Sequence, residues 1–183
     1  MEQLISNIDE HVYDIIISMQ NNICDNVMLF ITSFASAMVL ITIAILSFIV
    51  LKKKRYAKLI TLNLIVVFVL NRILKLIFAR ERPQDVLQMV TEDGYSFPSA
   101  HTMIGTAFYG FIIYLISKKV KTKWKKNLSI ALLTILIILI GISRIYLGAH
   151  YATDVIAGIL FAIIYLIFFI KWAFTKKRKK ERK

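Results

Sequence analysis

Cysteine is almost absent from this sequence, with Cys24 the only one in 183 residues. An intramolecular disulfide is therefore excluded, and so is a metal site built from cysteines. No Ser/Pro/Gly-rich linker, low-complexity tract or internal repeat divides the chain, which reads as one domain. The opening MEQLISNIDE is acidic where a cleaved signal peptide would be basic, so no such leader is expected. Acid is scarce elsewhere: 11 Asp and Glu stand against 24 Lys and Arg, a formal net charge of +13. In a soluble protein that excess would point to nucleic acid. Here the positive charge lies where membrane loops and tails carry it, and topology accounts for it without a nucleic-acid partner.

What the chain has in abundance is apolar sequence, 58% of its residues. Five apolar runs cover Val27–Leu51, Tyr56–Ala79, Ser99–Ser117, Leu128–Leu147 and Tyr151–Phe174. Each is long enough for a helix crossing ~30 Å of hydrocarbon. Ahead of them Ile5, Ile8, Val12, Ile15 and Met19 recur at spacings of three and four, an amphipathic helix suited to the interface. Asp9, Glu10 and Asp14 interrupt that stretch, and a carboxylate at a span's centre costs about 2.5–3.5 kcal/mol, so a sixth span is disfavoured. The expected fold is all-α: a polytopic membrane helix bundle of about five transmembrane helices plus an N-terminal amphipathic helix. Residues 1–175 form the domain and 176–183 a polybasic tail.

Loop charge sets an orientation. Lys52, Lys53, Lys54, Arg55 and Lys58 lie between the first two runs, Lys118, Lys119, Lys121, Lys123, Lys125 and Lys126 between the third and fourth, and Lys176 to Lys183 in the tail. These are alternate loops, so all of them are expected to face the cytoplasm together, with the N-terminus outside and the C-terminus inside. The ends that then face outward hold Arg72, Lys75, Arg80 and Arg82, next His101, then Arg144, His150 and Asp154. Charges within spans are costly and by default mark a functional site facing the bundle interior. Lys75, Arg82 and Arg144 make a cationic cradle suited to phosphoryl oxygens. Pro98-Ser99-Ala100-His101 reads as a helix start with Ser99 as N-cap, whose free amides attract an anion, and the small Ala100 admits a close ligand. His150 and Asp154, four apart, share a helix face, so the carboxylate can fix the imidazole tautomer and leave the other nitrogen free. The same pair would also serve simply to hold a helix top.

Taken in order, Lys75-(six residues)-Arg82-Pro83, Pro98-Ser99-Ala100-His101 and Ser143-Arg144-(five residues)-His150-(three residues)-Asp154 resemble the three-part signature of the type 2 phosphatidic acid phosphatase superfamily. Ala100 stands where that family often has glycine, a change that keeps the amide. The resemblance implies a membrane lipid phosphatase, closest in look to small bacterial undecaprenyl diphosphate phosphatases, with phosphatidylglycerophosphate or phosphatidate as alternative substrates. By the same resemblance His150 attacks phosphorus and forms a phosphohistidine, Asp154 orients it, and His101 protonates the leaving lipid oxygen. Lys75, Arg82, Ser99, Arg144 and the amides near Ala100 hold the phosphoryl oxygens. No metal and no cofactor is implied. The expected partners are the lipid phosphate and membrane lipids, with no obligate protein. A pseudophosphatase that only binds lipid is the non-enzyme alternative. Arg72 and Asn71 read either as support for Lys75 or as packing, Arg80 and Glu81 as a solvated loop, His11 as surface, and Tyr146, Tyr151 and Trp172 as an aromatic belt.

Overall fold

A computed structural model describes residues 9, 11–12, 15–16, 18–83, 89–90 and 92–180, with the side chains of 176–180 left aside. Ile5, Ile8, Glu10 and Asp14 of the expected amphipathic helix fall outside the described residues. Asp9, His11, Val12, Ile15 and Ile16 are helical, and His11 is exposed. The described residues form α1 (Asn22–Ser33), α2 (Ala37–Val50), α3 (Lys54–Phe78), α4 (Ala100–Lys119), α5 (Lys123–Tyr146) and α6 (Ala152–Lys180). The last four are each long and apolar enough to span a membrane. The protein is thus an all-helical, multi-pass membrane protein.

The first apolar run departs from expectation. It forms not one helix but two, α1 and α2, bent by 43°, and only the two taken together are long and apolar enough for a span. The amides of Phe34, Ala35 and Ser36 donate to carbonyls three residues back, at 3.2, 3.0 and 3.0 Å, which tightens and ends α1. Ser36 then restarts the helix by accepting from the Val39 amide at 3.4 Å. The break leaves the Phe34 carbonyl outside any ladder, and the Tyr109 hydroxyl donates to it at 2.6 Å. In hydrocarbon such a carbonyl would otherwise be costly. Hydropathy alone carries no sign of this bend, because the residues on both sides of it are apolar.

Helix α4 is the bundle's core. Thr102 to Tyr109 and Phe111 are buried on every side, with α3, α5 and α6 packed around them. Two asparagines of α3 hold it: Asn63 donates to the Ala107 carbonyl at 2.9 Å and Asn71 to the Pro98 carbonyl at 3.3 Å. The outer face of α5 is a lipid-suited stripe in which Leu128, Leu132, Ile135, Ile138 and Ile142 are all exposed. The C-terminal end of α3, the start of α4 and the turn from α5 to α6 meet at one end. The basic α2–α3 and α4–α5 loops lie at the other, where Arg55 donates to the Ala173 carbonyl at 2.7 Å and Lys119 sits 5.1 Å from the Tyr56 ring.

Helix α6 crosses α4 most closely at Gly158, where an added Cβ would lie 3.2 Å from the Ser99 carbonyl oxygen and 3.3 Å from the Met103 nitrogen. At Gly110 the added atom would meet only the tip of Leu166, at 2.7 Å. A leucine methyl can rotate away and backbone cannot. Gly158→Ala should therefore destabilise the detergent-solubilised protein by about 1–3 kcal/mol, with Gly110→Ala costing clearly less. Thermal unfolding of both variants measures the order.

Candidate active site

The loop from α3 to α4 is drawn over the end of the bundle by bonds to both neighbouring helices. Helix α3 stops at Ala79, which takes a left-handed φ of 44° while its amide returns to the Lys75 carbonyl at 2.9 Å. The Ser96 amide donates to the Arg80 carbonyl at 2.7 Å, and the Met89 amide to the Leu147 carbonyl at 3.0 Å. Lys75 does not snorkel outward. It is buried, and its ammonium donates to the carbonyls of Tyr95 and Ser96.

On the other side, α5 ends at Tyr146, and Gly148 at φ 69° supplies the left-handed residue that closes it. The amides of Ala149 and His150 both donate to the Arg144 carbonyl at 3.2 Å, which places His150 one short turn above Arg144. Asp154 lies in the first turn of α6, where a carboxylate suits the positive helix end, and accepts from the Tyr151 amide at 3.1 Å.

His150 and Asp154 are both 0% exposed, and Nδ1 lies 3.4 Å from Asp154 Oδ2. The Ser96 hydroxyl donates to that same oxygen and stands 3.4 Å from His150 Nδ1. Arg80 reaches the other oxygen, donating from Nη1 to Oδ1 at 2.7 Å, while its guanidinium covers the Tyr151 ring at 4.1 Å. With Nδ1 directed at a carboxylate, the proton belongs on Nδ1 and Nε2 is the free nitrogen. Nε2 faces Arg82, whose Nη1 is 3.5 Å away and donates to the Ala149 carbonyl at 2.8 Å. Burial pushes His150 down to about 4. The bond to Asp154 opposes that shift without cancelling it, and Arg144 adds to it, so the ring is neutral at ordinary pH.

Beside His150 sits a cluster of cations around one carboxylate. Glu92 bonds Arg144 Nη2, lies 3.7 Å from Arg82 Nη2, and lies 3.7 Å from His101 Nδ1. Arg144 also donates to the Thr32 hydroxyl at 2.8 Å, while its buried Nε has no hydrogen-bond partner among the described residues. Burial alone would raise the Glu92 carboxyl. Arg144, with His101 and Arg82, outweighs it and holds the group below the usual carboxylate range. A carboxylate thus occupies the ground between two arginines and a histidine that suits a phosphoryl group.

Of the residues singled out from sequence, Arg82, His101, Arg144, His150 and Asp154 meet around this point. Lys75 joins through the carbonyl of Ser96. Ser99 stands at the N-cap position of α4, as expected, but its hydroxyl does not cap. It pairs with the Thr102 hydroxyl at 3.0 Å. Ala100 starts the helix, where the amides of the first turn have no intrahelical acceptor. Arg80 corrects the solvated-loop expectation, being bonded to Asp154 and Asp9. Tyr146 is no belt residue either, being buried with its hydroxyl donating to Asp25 at 2.7 Å. Asn71 packs, through Pro98. Sequence reasoning missed Ser96, Glu92 and Asp9. Only Asp9 gave a signal, as an acid interrupting an apolar face.

The fold and the site together define a polytopic helical membrane protein with a buried His–Asp pair and clustered arginines at one end of the bundle. The family model for the PAP2 superfamily, the type 2 phosphatidic acid phosphatases, matches residues 55–178, and the chain belongs to that family. It is 39% identical over 115 residues to phosphatidylglycerophosphatase B of Bacillus subtilis, covering 62% of this chain and 55% of that protein, so the match spans about half the length of that relative. It is 29% identical over 162 residues to undecaprenyl-diphosphatase BcrC of the same organism, covering 86% of this chain and 79% of that one. The crystal structure of a transmembrane PAP2-type phosphatidylglycerolphosphate phosphatase from Bacillus subtilis superposes with a TM-score of 0.84 at 26% identity, covering 92% of this chain and 86% of that one. Aquifex aeolicus LpxE gives 0.73 at 27%, covering 88% and 93%.

An anion that enters this site must displace Glu92 from Arg144. Glu92→Gln removes the competing charge and keeps the shape, so it should tighten inhibition by orthovanadate roughly tenfold, about 1.4 kcal/mol. Inhibition constants for the two purified proteins measure this, and an unchanged or weaker constant contradicts it.

Proposed function

We propose that this protein is a membrane lipid phosphatase that removes the terminal phosphate of a lipid phosphate or diphosphate through a phosphohistidine. One juxtaposition carries the reading: Glu92 and His101, which stand against Arg144 and Arg82 beside His150, close the polar end of an apolar cleft. That cleft, about 470 Å³, runs between α2, α3 and α4 and is walled by Leu40, Ile41, Leu64, Phe68 and Ile104, with Glu92, His101 and Arg72 at its polar end. A lipid chain fits the walls while its phosphate meets the cations. The exposed Arg72 guanidinium lies 5.3 Å from the Phe68 ring.

The reaction balances on these groups. His101 takes up a proton as the anionic phosphate binds. His150 Nε2 then forms a bond to phosphorus, the bond from phosphorus to the leaving lipid or lipid-phosphate oxygen breaks, and His101 gives that oxygen its proton. Arg82 and Arg144 hold the phosphoryl oxygens, and the Arg144 Nε–H, which has no partner among the described residues, adds a donor. Water, deprotonated by His101, then attacks phosphorus, and the N–P bond breaks to release phosphate. Lys75, Arg82 and Arg144 supply the positive charge, so the reading requires no metal.

Undecaprenyl diphosphate is the proposed substrate, supported by the relative BcrC, which aligns along most of both chains. Phosphatidylglycerophosphate is the second reading, favoured by the higher identity to phosphatidylglycerophosphatase B. Turnover of an isoprenyl diphosphate and of phosphatidylglycerophosphate by the purified protein in excess EDTA decides between them. No phosphate release from either would overturn the enzyme reading.

The two histidines should separate. His150→Ala is expected to be inactive on every substrate and to trap no acid-labile phosphate. Leaving-group protonation contributes about 10²–10⁴-fold, so His101→Ala should lose less on p-nitrophenyl phosphate than on a lipid ester, and should accumulate the phosphoenzyme on denaturing quench. Label kept by His150→Ala and lost from His101→Ala would reverse the assignment.

The site is proposed to face outward, because the basic loops lie at the opposite end of the bundle. In a Cys24→Ser background, Asp93→Cys should react with an impermeant thiol reagent in intact cells, and Lys121→Cys should not. The opposite labelling would invert the topology.

A further inference from the structure

The bonds that reach Asp154 from behind lead to the N-terminal segment. Arg80 Nη1 donates to Asp154 Oδ1 at 2.7 Å, and its Nη2 donates to Asp9 Oδ2 at 2.8 Å. Asp9 is 2% exposed. It also accepts from the Thr153 amide at 3.0 Å and from the Thr153 hydroxyl at 2.7 Å. Arg80 Nη1 donates to that hydroxyl as well, at 2.7 Å. Val12 and Ile16, one and two turns on, pack against Ile145, Ala152 and Val155 and seat the segment on α5 and α6. Asp9 thus bonds Arg80 and Thr153, and it bonds none of Lys75, Arg82, His101 or Arg144.

The charges make this arrangement consequential. Arg80 and Asp154 alone are a neutral pair, and a guanidinium shared with no other acid would cancel much of the negative charge behind His150. When Nε2 bonds to phosphorus with a proton still on Nδ1, the imidazole becomes cationic. It then needs an anion at its back, in a site too buried for water to supply one. Asp9, Arg80 and Asp154 together carry a net charge of −1, the charge that balances this cation.

Resting on the nucleophile reading of His150 above, we propose that Asp9 is a positioning residue of the phosphoryl-transfer step. By engaging the far side of the Arg80 guanidinium, it leaves Asp154 effectively anionic behind His150, so the N-terminal segment is part of the active site.

The test uses a sign that a purely structural role would not produce. Full-length wild type, Asp9→Asn, Arg80→Gln and the double variant are purified in detergent, and kcat and KM are measured on farnesyl diphosphate. Asp9→Asn should lose about tenfold or more in kcat with KM within about twofold, because Asp9 touches no substrate-binding group. Adding Arg80→Gln removes the uncompensated positive charge, while the amide can still donate to Asp154, so the double variant should be about threefold or more faster than Asp9→Asn. If Asp9 only tied down the segment, each substitution would remove bonds and the double variant would be slowest. A double variant no faster than Asp9→Asn, or an effect confined to KM, overturns the proposal. Should Asp9→Asn not fold, Val12→Ala decides: it loosens the same segment but touches neither its charge nor its bonds to Arg80 and Thr153, so its kcat loss should stay under about threefold, and a larger loss overturns the proposal. Denaturing quench of the wild type separates this from the reading it rests on. Trapped phosphohistidine with the wrong order of variants defeats the Asp9 inference alone. Absence of any phosphohistidine defeats both.

Discussion

A carboxylate stays ionised at the end of an apolar bundle only if several donors share its charge, and Asp154 is held from four directions. Arg80 comes from the loop that follows α3, Ser96 from the run that precedes α4, His150 from the α5–α6 turn, and the Tyr151 amide from the start of α6 itself. Much of the outer end is arranged by this demand. Ser96 can reach Asp154 because Lys75 holds its carbonyl and the Arg80 carbonyl holds its amide. Asn71 fixes Pro98 just beyond, which sets where α4 begins. Removing any one strand of this web leaves a buried donor or acceptor without a partner, which typically costs about 1–3 kcal/mol.

How legible this was depended on the physical signal each residue carries. The four long spans read clearly, because hydrocarbon imposes both length and apolarity on a membrane helix. Arg82, His101, Arg144, His150 and Asp154 stood out because charge at a span's end is costly and therefore conspicuous. Ser96 did not stand out: a serine ahead of a helix looks like any turn residue, and its bond to Asp154 depends on the path of a loop that periodicity does not describe. Arg80, beside Arg82 and Glu81, looked like ordinary loop charge, and only the fold brings it against Asp154. Glu92 carries no signal in the sequence as a ligand of Arg144, since residues that far apart along the chain meet only once the bundle has closed. The hydroxyl of Ser99 illustrates the opposite error. The right residue stands at the helix start, but its oxygen turns to Thr102 and leaves the helix amides open.

The two ends of the bundle divide the charge between them in different ways. At the basic end, cations need only water and phospholipid headgroups, and pairing is loose: an arginine on a carbonyl, a lysine near a tyrosine ring. At the other end Asp9, Lys75, Arg144, His150 and Asp154 are buried and bonded within the protein, and Arg144 Nε, without a partner among the described residues, lies beside the cation cluster. One end is thus a basic, solvated surface and the other a bonded cluster of charges closed in by its own helices.

The bend at Thr32–Ser36 ties the wall of the cleft to its head. Thr32 accepts from Arg144, the arginine held by Glu92, and five residues further on α2 sets out at a new angle to form one side of the cleft. Pocket and portal are therefore hitched by a single hydroxyl. Whatever turns the Arg144 guanidinium also pulls on the hinge between α1 and α2, and so on the wall that α2 contributes.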